Sequence, residues 1–182
     1  LSGLALEVTS AAQLGGVVFP EEGAEYAPNA IAKARAAAMQ LGCWAVADDS
    51  GLEVDALDGA PGVHSARYAT IEKQSGNSPD EQNNAKLLLE LKGRVDHHRA
   101  ARFRCVIALA RAGQYSQPKI FNGTCEGRIE ETVRGEHGFG YDSLFIPDGH
   151  KQTFGELAKS VKSQLSHRSA ALRQLKDWLA NH

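Results

Sequence analysis

The sequence predicts a single domain of the α/β or α+β class, for three reasons. The 182 residues, 42% of them hydrophobic, are enough to bury one sizeable core, and no Pro- or Ser-rich linker divides them. Segments with helical periodicity alternate along the chain with short apolar runs typical of buried strands. No apolar run approaches the ~20 residues that a transmembrane helix needs. The chain therefore has the composition of a globular protein built from a sheet and helices.

The first predicted helix spans residues 29–41, with the sequence NAIAKARAAAMQL. This segment is rich in strong helix formers. The residues that mark one face at helical spacing are Ile31, Ala34, Ala38 and Leu41. Gly42 follows directly and is expected to end the helix, because glycine adopts the left-handed conformation found after helix C-termini.

A short buried strand is predicted at residues 43–47, CWAVA, and it leads directly into Asp48 and Asp49. We expect the two carboxylates at the end of this strand, followed by a sharp turn at Ser50 and Gly51. Adjacent strand residues point to opposite faces, so only one of the two aspartates is expected to line a site. The same four residues also fit an ordinary acidic turn.

The next elements are one helix and three strands. A capping box predicts a helix with Ser78 as N-cap, Pro79 at the first helical position and Glu81 three residues after the cap. The predicted strands are residues 101–110, a central strand covered on both faces, followed by 119–129 and 138–147.

The C-terminal segment, residues 160–182, has the periodicity of one amphipathic helix. Its apolar residues within about 80° of arc on a helical wheel are Val161, Leu165, Leu172, Leu175 and Leu179. Arg168 falls in the centre of this stripe. A buried, unpaired guanidinium is too costly to keep, so Arg168 must either mark a break in the helix or point inward at a negative group.

Charge and cysteine content exclude several classes of function. A formal net charge of −2 supplies no basic field for duplex nucleic acid, so any phosphate ligand is expected to be a small molecule. Cys43, Cys105 and Cys125 are widely spaced and form neither a CxxC pair nor a zinc-finger pattern. We therefore expect reduced thiols in a cytoplasmic protein with no nucleic-acid or membrane partner.

Several residues could carry chemistry with a nucleotide. Glu21 and Glu22 form an acidic pair that, with a strand-end aspartate, would suit Mg²⁺ bound with substrate phosphates, although the pair alone is more typical of a solvated acidic loop. The candidate donors are Lys33, Lys162, His167 and Arg168. Residues 138–142, GFGYD, combine glycines that allow close approach with aromatic faces that stack on a base. The P-loop, dinucleotide, nucleophile-elbow and H-E-x-x-H motifs are absent from the sequence, which leaves the common NTPase and hydrolase templates unsupported.

Taken in order, these motifs resemble the inosine triphosphate pyrophosphatase family, which removes non-canonical purine nucleoside triphosphates. The matching segments are EEG (21–23), NAIAKA (29–34), ADDSGLEVDALDGAPGVHSARYA (47–69), NNAKLL (83–88), GFGYDSLFIP (138–147) and SHR (166–168). The resemblance spans nearly the whole chain. It implies a mixed, twisted sheet flanked by helices, with two lobes around a central nucleotide-binding cleft, and a homodimer.

The activity implied by the resemblance is Mg²⁺-dependent hydrolysis between the α and β phosphates of ITP, dITP or XTP, giving the monophosphate and pyrophosphate. Asp49 matches the general base and metal-linked carboxylate, Glu21 a second Mg²⁺ contact, and Asp48 a supporting residue. The residues that match substrate contacts are Ser50, Lys33, Phe139, Gly140, Tyr141, Asp142 and Lys162, with His167 and Arg168 matching the pair that reads the base.

The chain departs from the family pattern at three places. The family usually opens with a strand and a TGNxxK phosphate loop, which has no match here, since LSGLALEV resembles the segment after that loop's helix. Ser143 replaces a common proline, and Pro28 replaces a common glutamate near the metal. Two alternatives stay open: a nucleotide-binding protein without catalysis, and a pyrophosphatase for other modified nucleotides.

Overall fold

The structure is a computed structural model that describes residues 6–70, 76–93, 99–113 and 117–182. Its helices and strands follow in the order α1 (Tyr26–Leu41), β1 (Trp44–Val54), β2 (Pro61–Gly62), α2 (Asp80–Glu90), β3 (Ala100–Arg111), β4 (Lys119–Ile129), β5 (Phe145–Pro147), α3 (Lys159–Leu165) and α4 (His167–Ala180). Short 3₁₀ helices lie at Ala11–Leu14, Asp55–Leu57 and Ser65–Thr70. In the described ranges, no helix is both long and apolar enough to span a membrane.

The strands form one five-stranded sheet in the order β2-β1-β3-β4-β5. The two outer pairs are antiparallel, with Leu52 opposite Gly62 and Arg128 opposite Ile146. The predictions of β3 as the central strand and of β4 at 119–129 are confirmed. The predicted α/β class with a sheet and flanking helices is confirmed as well.

The chain divides into two compact units, each made of separate stretches of sequence. The first unit contains Leu1–Asp49, Cys105–Gly123 and Ala170–His182, and the second contains Ser50–Arg104 and Thr124–Ser169. Strands β1, β3 and β4 and helix α4 therefore contribute residues to both units. The expected domain of two lobes around a cleft stays a prediction.

The core of the first unit is built on the alternation of β3. Val106, Ala108 and Ala110 pack in a cluster with alanines of α1, among them Ala34 and Ala38. The intervening residues of β3 belong to a second cluster with α4, whose buried members are Cys105, Ile107, Leu109, Phe121, Ala171 and Leu175. Because successive residues of a strand point to opposite faces, each face of β3 contributes to its own core.

The core of the second unit contains aromatic residues from separate elements. Phe103 of β3 lies with its ring centroid 4.6 Å from that of Phe145 of β5, and Phe145 lies 5.4 Å from Phe154. Leu52 and Val54 of β1 are fully buried in the same cluster. These contacts bury the part of β1 that follows Asp49.

The predicted strand end at Asp48 and Asp49 is wrong. Strand β1 continues through both residues and through Ser50 and Gly51 to Val54, so the expected turn is absent at this point. The chain does not need to turn toward water, because hydrogen bonds satisfy the buried Asp49 carboxylate inside the protein. As expected for adjacent strand residues, Asp48 is exposed and Asp49 is buried.

Two helix starts differ from the sequence prediction. Helix α1 begins at Tyr26, three residues before Asn29, and accommodates Pro28 in its first turn, where the missing N–H costs no bond. Helix α2 has Pro79 rather than Ser78 at its N-cap. The Ser78 hydroxyl lies 2.8 Å from that of Thr70. Gly42 ends α1 with φ +68°, as predicted.

The C-terminal segment is two helices, so the single apolar stripe is wrong. Ser166 is extended between α3 and α4, and its Oγ accepts a hydrogen bond from Ser169 N at 3.2 Å, as an N-cap does. Leu172 of the predicted stripe is 41% exposed. A helix break therefore lies two residues before Arg168, which is itself half-buried in α4.

The third predicted strand, residues 138–147, is largely a turn segment. Only Phe145–Pro147 pairs in the sheet. Gly138 and Gly140 have positive φ angles of +84° and +60°, which extended strands do not contain.

Candidate active site

Asp49 is the centre of a hydrogen-bonded cluster in the first unit. The residue is 7% exposed. Its Oδ1 accepts a hydrogen bond from Lys33 Nζ at 2.8 Å, and its Oδ2 accepts one from Asn29 Nδ2 at 2.9 Å. Lys33 Nζ also lies 3.0 Å from Glu22 Oε1. The predicted base is therefore held at both oxygens, each of which keeps a further lone pair.

Asn29 is a member of this cluster that the sequence prediction did not assign. Its Oδ1 accepts from Gly23 N at 2.7 Å, and its Nδ2 donates to Gly23 O at 3.1 Å as well as to Asp49. Asn29 is buried on α1 and thus joins the loop before the helix to strand β1. The signal was its position in the NAIAKA segment, but nothing local pointed to Asp49.

Lys33 is a stable cation between two carboxylates. Burial by itself would lower the pKa of Lys33, but the hydrogen bond and charge of Asp49, and then those of Glu22, outweigh it, and the pKa is raised. The ammonium thus marks a place where Asp49 and Glu22 both favour positive charge. This donor set fits Mg²⁺, which takes one or two carboxylates together with substrate phosphates. Within the described ranges, no group of three or more His, Cys, Asp or Glu side chains could hold a metal ion.

The structure brings Glu22 rather than Glu21 to Lys33. Glu21 is exposed on the loop before α1, and its predicted metal contact stays a prediction. The acidic pair was recognised in the sequence, but the pattern could not tell which member faces α1.

A cavity of about 420 Å³ in the second unit is lined by all the predicted substrate-binding residues that belong to this unit. These are Ser50, Phe139, Gly140, Tyr141, Asp142, Lys162, His167 and Arg168. The volume lies in the range of small-molecule sites. Lys33 is the one predicted substrate contact that belongs to the first unit.

The 138–142 segment has its shape fixed by Asp142. The Asp142 carboxylate is almost fully buried, accepts a hydrogen bond from Phe139 N at 2.9 Å and forms an ion pair with Lys162. Gly138 lies so close that a Cβ built on it would be 1.9 Å from Asp142 Oδ2. Only glycine therefore fits at position 138.

Two cationic side chains lie beside the exposed ring of Phe139. Phe139 is 62% exposed. The centroid of its ring lies 4.8 Å from Lys162 Nζ and 5.4 Å from the guanidinium carbon of Arg168. Both distances fall within the ~6 Å range of cation–π attraction. The arrangement offers aromatic surface and hydrogen-bond donors side by side, which suits a flat, oxygen-bearing ring.

His167 and Tyr141 are two buried residues among the predicted contacts. His167 is buried and stacks on Phe103, with centroids 4.8 Å apart and an interplanar angle of 15°. Tyr141 is buried, and its hydroxyl donates to Ser65 O at 2.9 Å. Burial raises the pKa of Tyr141 well above its ordinary value, so its hydroxyl stays protonated.

Asp80 lines this cavity and, after Asn29 in the Asp49 cluster, is a second residue that the sequence prediction did not assign. It is the first residue of α2, and its Oδ2 accepts a hydrogen bond from Gly140 N at 2.5 Å. An acidic residue in the first turn of a helix is common, because it complements the helix dipole, so the pattern offered no reason to assign Asp80 to a site.

A larger cavity, about 720 Å³, lies in the first unit and contains none of the predicted site residues. Arg111 lies over the Trp44 ring at 5.4 Å in its wall, and Trp44 and Trp178 have centroids 6.3 Å apart. Its lining carries no carboxylate among the described residues. Its volume therefore does not identify it as the reaction site, which needs a base and a metal-binding group.

Known proteins similar to this chain carry consistent names. The chain is 51% identical over 159 residues to the dITP/XTP pyrophosphatase of Desulforamulus reducens, covering 87% of this chain and 76% of the relative. It is 42% identical to the dITP/XTP pyrophosphatase of Salmonella typhimurium, covering 100% and 89%. A solved HAM1 protein from Coxiella burnetii superimposes with a TM-score of 0.89 at 40% identity, covering 100% and 90%. A model of the Ham1 family matches residues 1–178, and the chain belongs to that family.

Proposed function

We propose that this protein hydrolyses the non-canonical purine nucleoside triphosphates ITP, dITP and XTP to the monophosphate and pyrophosphate in a Mg²⁺-dependent reaction. Its relatives bear the name dITP/XTP pyrophosphatase. The observation that carries the proposal is that the eight predicted substrate contacts of the second unit line one cavity. Asp49 of the first unit, which is ion-paired with Lys33, provides the carboxylate that the reaction needs as a base.

Asp49 is the proposed general base. Its carboxylate takes the proton of the water that attacks the phosphoanhydride between the α and β phosphates. The hydrogen bonds from Lys33 and Asn29 fix both oxygens, so the carboxylate needs no reorganisation before it accepts the proton. Lys33, already cationic, can also pair with phosphate oxygens.

The proposed Mg²⁺ site lies at the carboxylates that share Lys33. When bound, Mg²⁺ offsets the charge that develops on the pyrophosphate leaving group. Asp49 with Glu22 would hold it, because these two carboxylates already face one cation. Glu21, the contact predicted from the resemblance, is the alternative second ligand.

The proposed base pocket is the cavity around Phe139. Arg168 donates to the oxygen at the purine 6-position of hypoxanthine or xanthine. Adenine carries an amino donor there and would leave the guanidinium unpaired, which disfavours dATP. Lys162 supports the same segment through Asp142 and the Phe139 ring.

We also propose, from the resemblance, that the protein is a cytoplasmic homodimer. Light scattering on the purified chain tests the oligomeric state: a mass near 39 kDa, twice the chain mass of 19.5 kDa, supports the dimer, and a mass near 19.5 kDa refutes it.

Incubation with dITP and Mg²⁺ tests the activity. Pyrophosphate and dIMP in equal amounts support the proposal, whereas orthophosphate release would indicate cleavage at another phosphoanhydride. Binding of dITP without turnover would favour a nucleotide-binding protein instead. Faster turnover of other modified nucleotides than of dITP, ITP and XTP would favour the second alternative.

A further inference from the structure

Asp80 lies where the base pocket needs an acceptor. It lines the cavity together with Phe139 and Gly140, and it is exposed at the first position of α2. Its Oδ2 accepts from Gly140 N at 2.5 Å. A carboxylate has two oxygens that only accept when ionised, so this bond leaves acceptor capacity at the second oxygen.

The other carboxylate in the described lining of this cavity has less capacity to bind a base. Asp142 is only 4% exposed, and its Oδ2 holds both Phe139 N and Lys162. Asp142 therefore shapes the segment, while Asp80 is the carboxylate that a ligand can reach.

Asp80 and Arg168 contact successive residues of the same segment. Arg168 lies over the ring of Phe139, and Asp80 accepts from the backbone of Gly140. The cavity thus has a donor and an acceptor at neighbouring positions of its wall. Keto purines present the complementary pair on adjacent atoms, the 6-oxygen as acceptor and N1–H as donor.

We propose that Asp80 is a specificity-determining residue that accepts a hydrogen bond from N1–H of the purine. This inference rests on the proposed function. Hypoxanthine and xanthine carry the N1 proton, whereas adenine has a lone pair at N1 that a carboxylate repels. Guanine shares the N1–H, so Asp80 discriminates against adenine and leaves rejection of guanine to other groups.

The first test compares kcat/KM for dITP and dATP in the wild type and in Asp80→Asn. The asparagine keeps an oxygen for Gly140 N, but its amide can turn a donor toward adenine N1. We expect the dITP preference to fall about tenfold or more, since sites that pair a substrate polar group discriminate strongly. Glu81→Gln is the matched control, because Glu81 is an exposed carboxylate in the same helical turn and does not line the cavity. We expect the Glu81→Gln variant to keep the wild-type preference for dITP over dATP.

The second test measures binding of the products without turnover. Calorimetry with dIMP and 1-methyl-dIMP, whose N1 carries a methyl group in place of the proton, should show weaker binding of the methylated nucleotide to the wild type. In Asp80→Ala this penalty should shrink at least several-fold, and circular dichroism checks that the variant is folded.

The outcomes separate the two proposals. If the wild type releases no pyrophosphate from dITP, the proposed function fails, and the calorimetric comparison still decides the role of Asp80. If dITP is hydrolysed but Asp80→Asn keeps the wild-type preference, the proposed function stands and the role of Asp80 is overturned. An unchanged methylation penalty in Asp80→Ala would overturn it as well.

Discussion

Asn29 and Asp49 are 20 residues apart in sequence, yet the amide of Asn29 donates to Asp49 Oδ2 at 2.9 Å inside the protein. The same side chain binds the backbone of Gly23 at both its N–H and its carbonyl. Together with the Lys33 ammonium, this buried amide of α1 therefore holds the proposed base in position.

Asn29→Ala should lower both stability and turnover. The loss of a buried side chain with three hydrogen bonds is expected to reduce the free energy of unfolding by about 1–3 kcal/mol. Urea denaturation measures the stability, and pyrophosphate release from dITP measures the turnover. Gln40→Ala is the control, because Gln40 clamps Val18 in the same way on the exposed side of the same helix. Equal loss of turnover in both variants would contradict the role of Asn29 at Asp49.

Asp49→Asn should abolish most of the pyrophosphate release while the protein stays folded. The amide keeps the shape of the carboxylate but cannot accept the proton of the attacking water, so we expect a loss of about 10²–10⁴-fold in kcat. Circular dichroism verifies the fold. Asp48→Asn, in the exposed neighbour, should lose far less activity. Near wild-type turnover by Asp49→Asn would reject the assignment of the base.

Arg168→Ala should lower the preference for dITP over dATP. Removal of the guanidinium takes away the donor to the 6-oxygen and the penalty against adenine, so the ratio of the two kcat/KM values should fall by about tenfold. Arg173→Ala provides a matched control on the exposed face of α4. An unchanged ratio in Arg168→Ala would show that the 6-position is read elsewhere.

Gly138→Ala should be far more destabilising than Gly149→Ala. Both glycines have positive φ, +84° and +79°, so an alanine costs about 1–2 kcal/mol of backbone strain at either position. At Gly138 the new Cβ would also lie 1.9 Å from Asp142 Oδ2, whereas at Gly149 there is nothing within 4 Å. Chemical denaturation compares the two variants. Similar stability losses would show that the Asp142 carboxylate can move aside.

Native cysteine reactivity should be confined to Cys43. Burial, with the nearby carboxylates of Asp148 and Glu126, raises the pKa of Cys125 to about 11, so at pH 8 only about one thiol in a thousand is the reactive thiolate. Cys105 is buried, and Cys43 is exposed. Mass spectrometry after iodoacetamide at pH 8 should find one label per folded chain and three in denaturant. A Cys43→Ser variant that is still labelled rapidly in the folded state would contradict this expectation.

Local pattern was sufficient for strands β3 and β4, whose own residues indicate extended structure. Strand β4 begins and ends at the predicted residues, and β3 extends the prediction by one residue at each end. Gly42 ends α1 because its conformation is a property of the residue itself.

Local pattern failed where contacts between residues distant in sequence determine where an element ends or which residues line the site. Strand β1 continues through Asp49 because Asn29 and Lys33, 20 and 16 residues away, satisfy the carboxylate. The helix break at Ser166 depends on a cap that periodicity does not measure. The resemblance found the residues that line the cavity, but neither pattern nor resemblance found Asp80, whose importance comes from its contact with Gly140, 60 residues away.

The alanine layer between α1 and β3 acts as a spacer of fixed thickness. Ala34 and Ala38 of α1 and Ala108 and Ala110 of β3 belong to one buried cluster, to which each contributes a single methyl group. One added branch in this layer would lift α1, and with it the amide and ammonium that reach Asp49 across less than 3 Å. Residues that touch no substrate thus set the working distance of the proposed base.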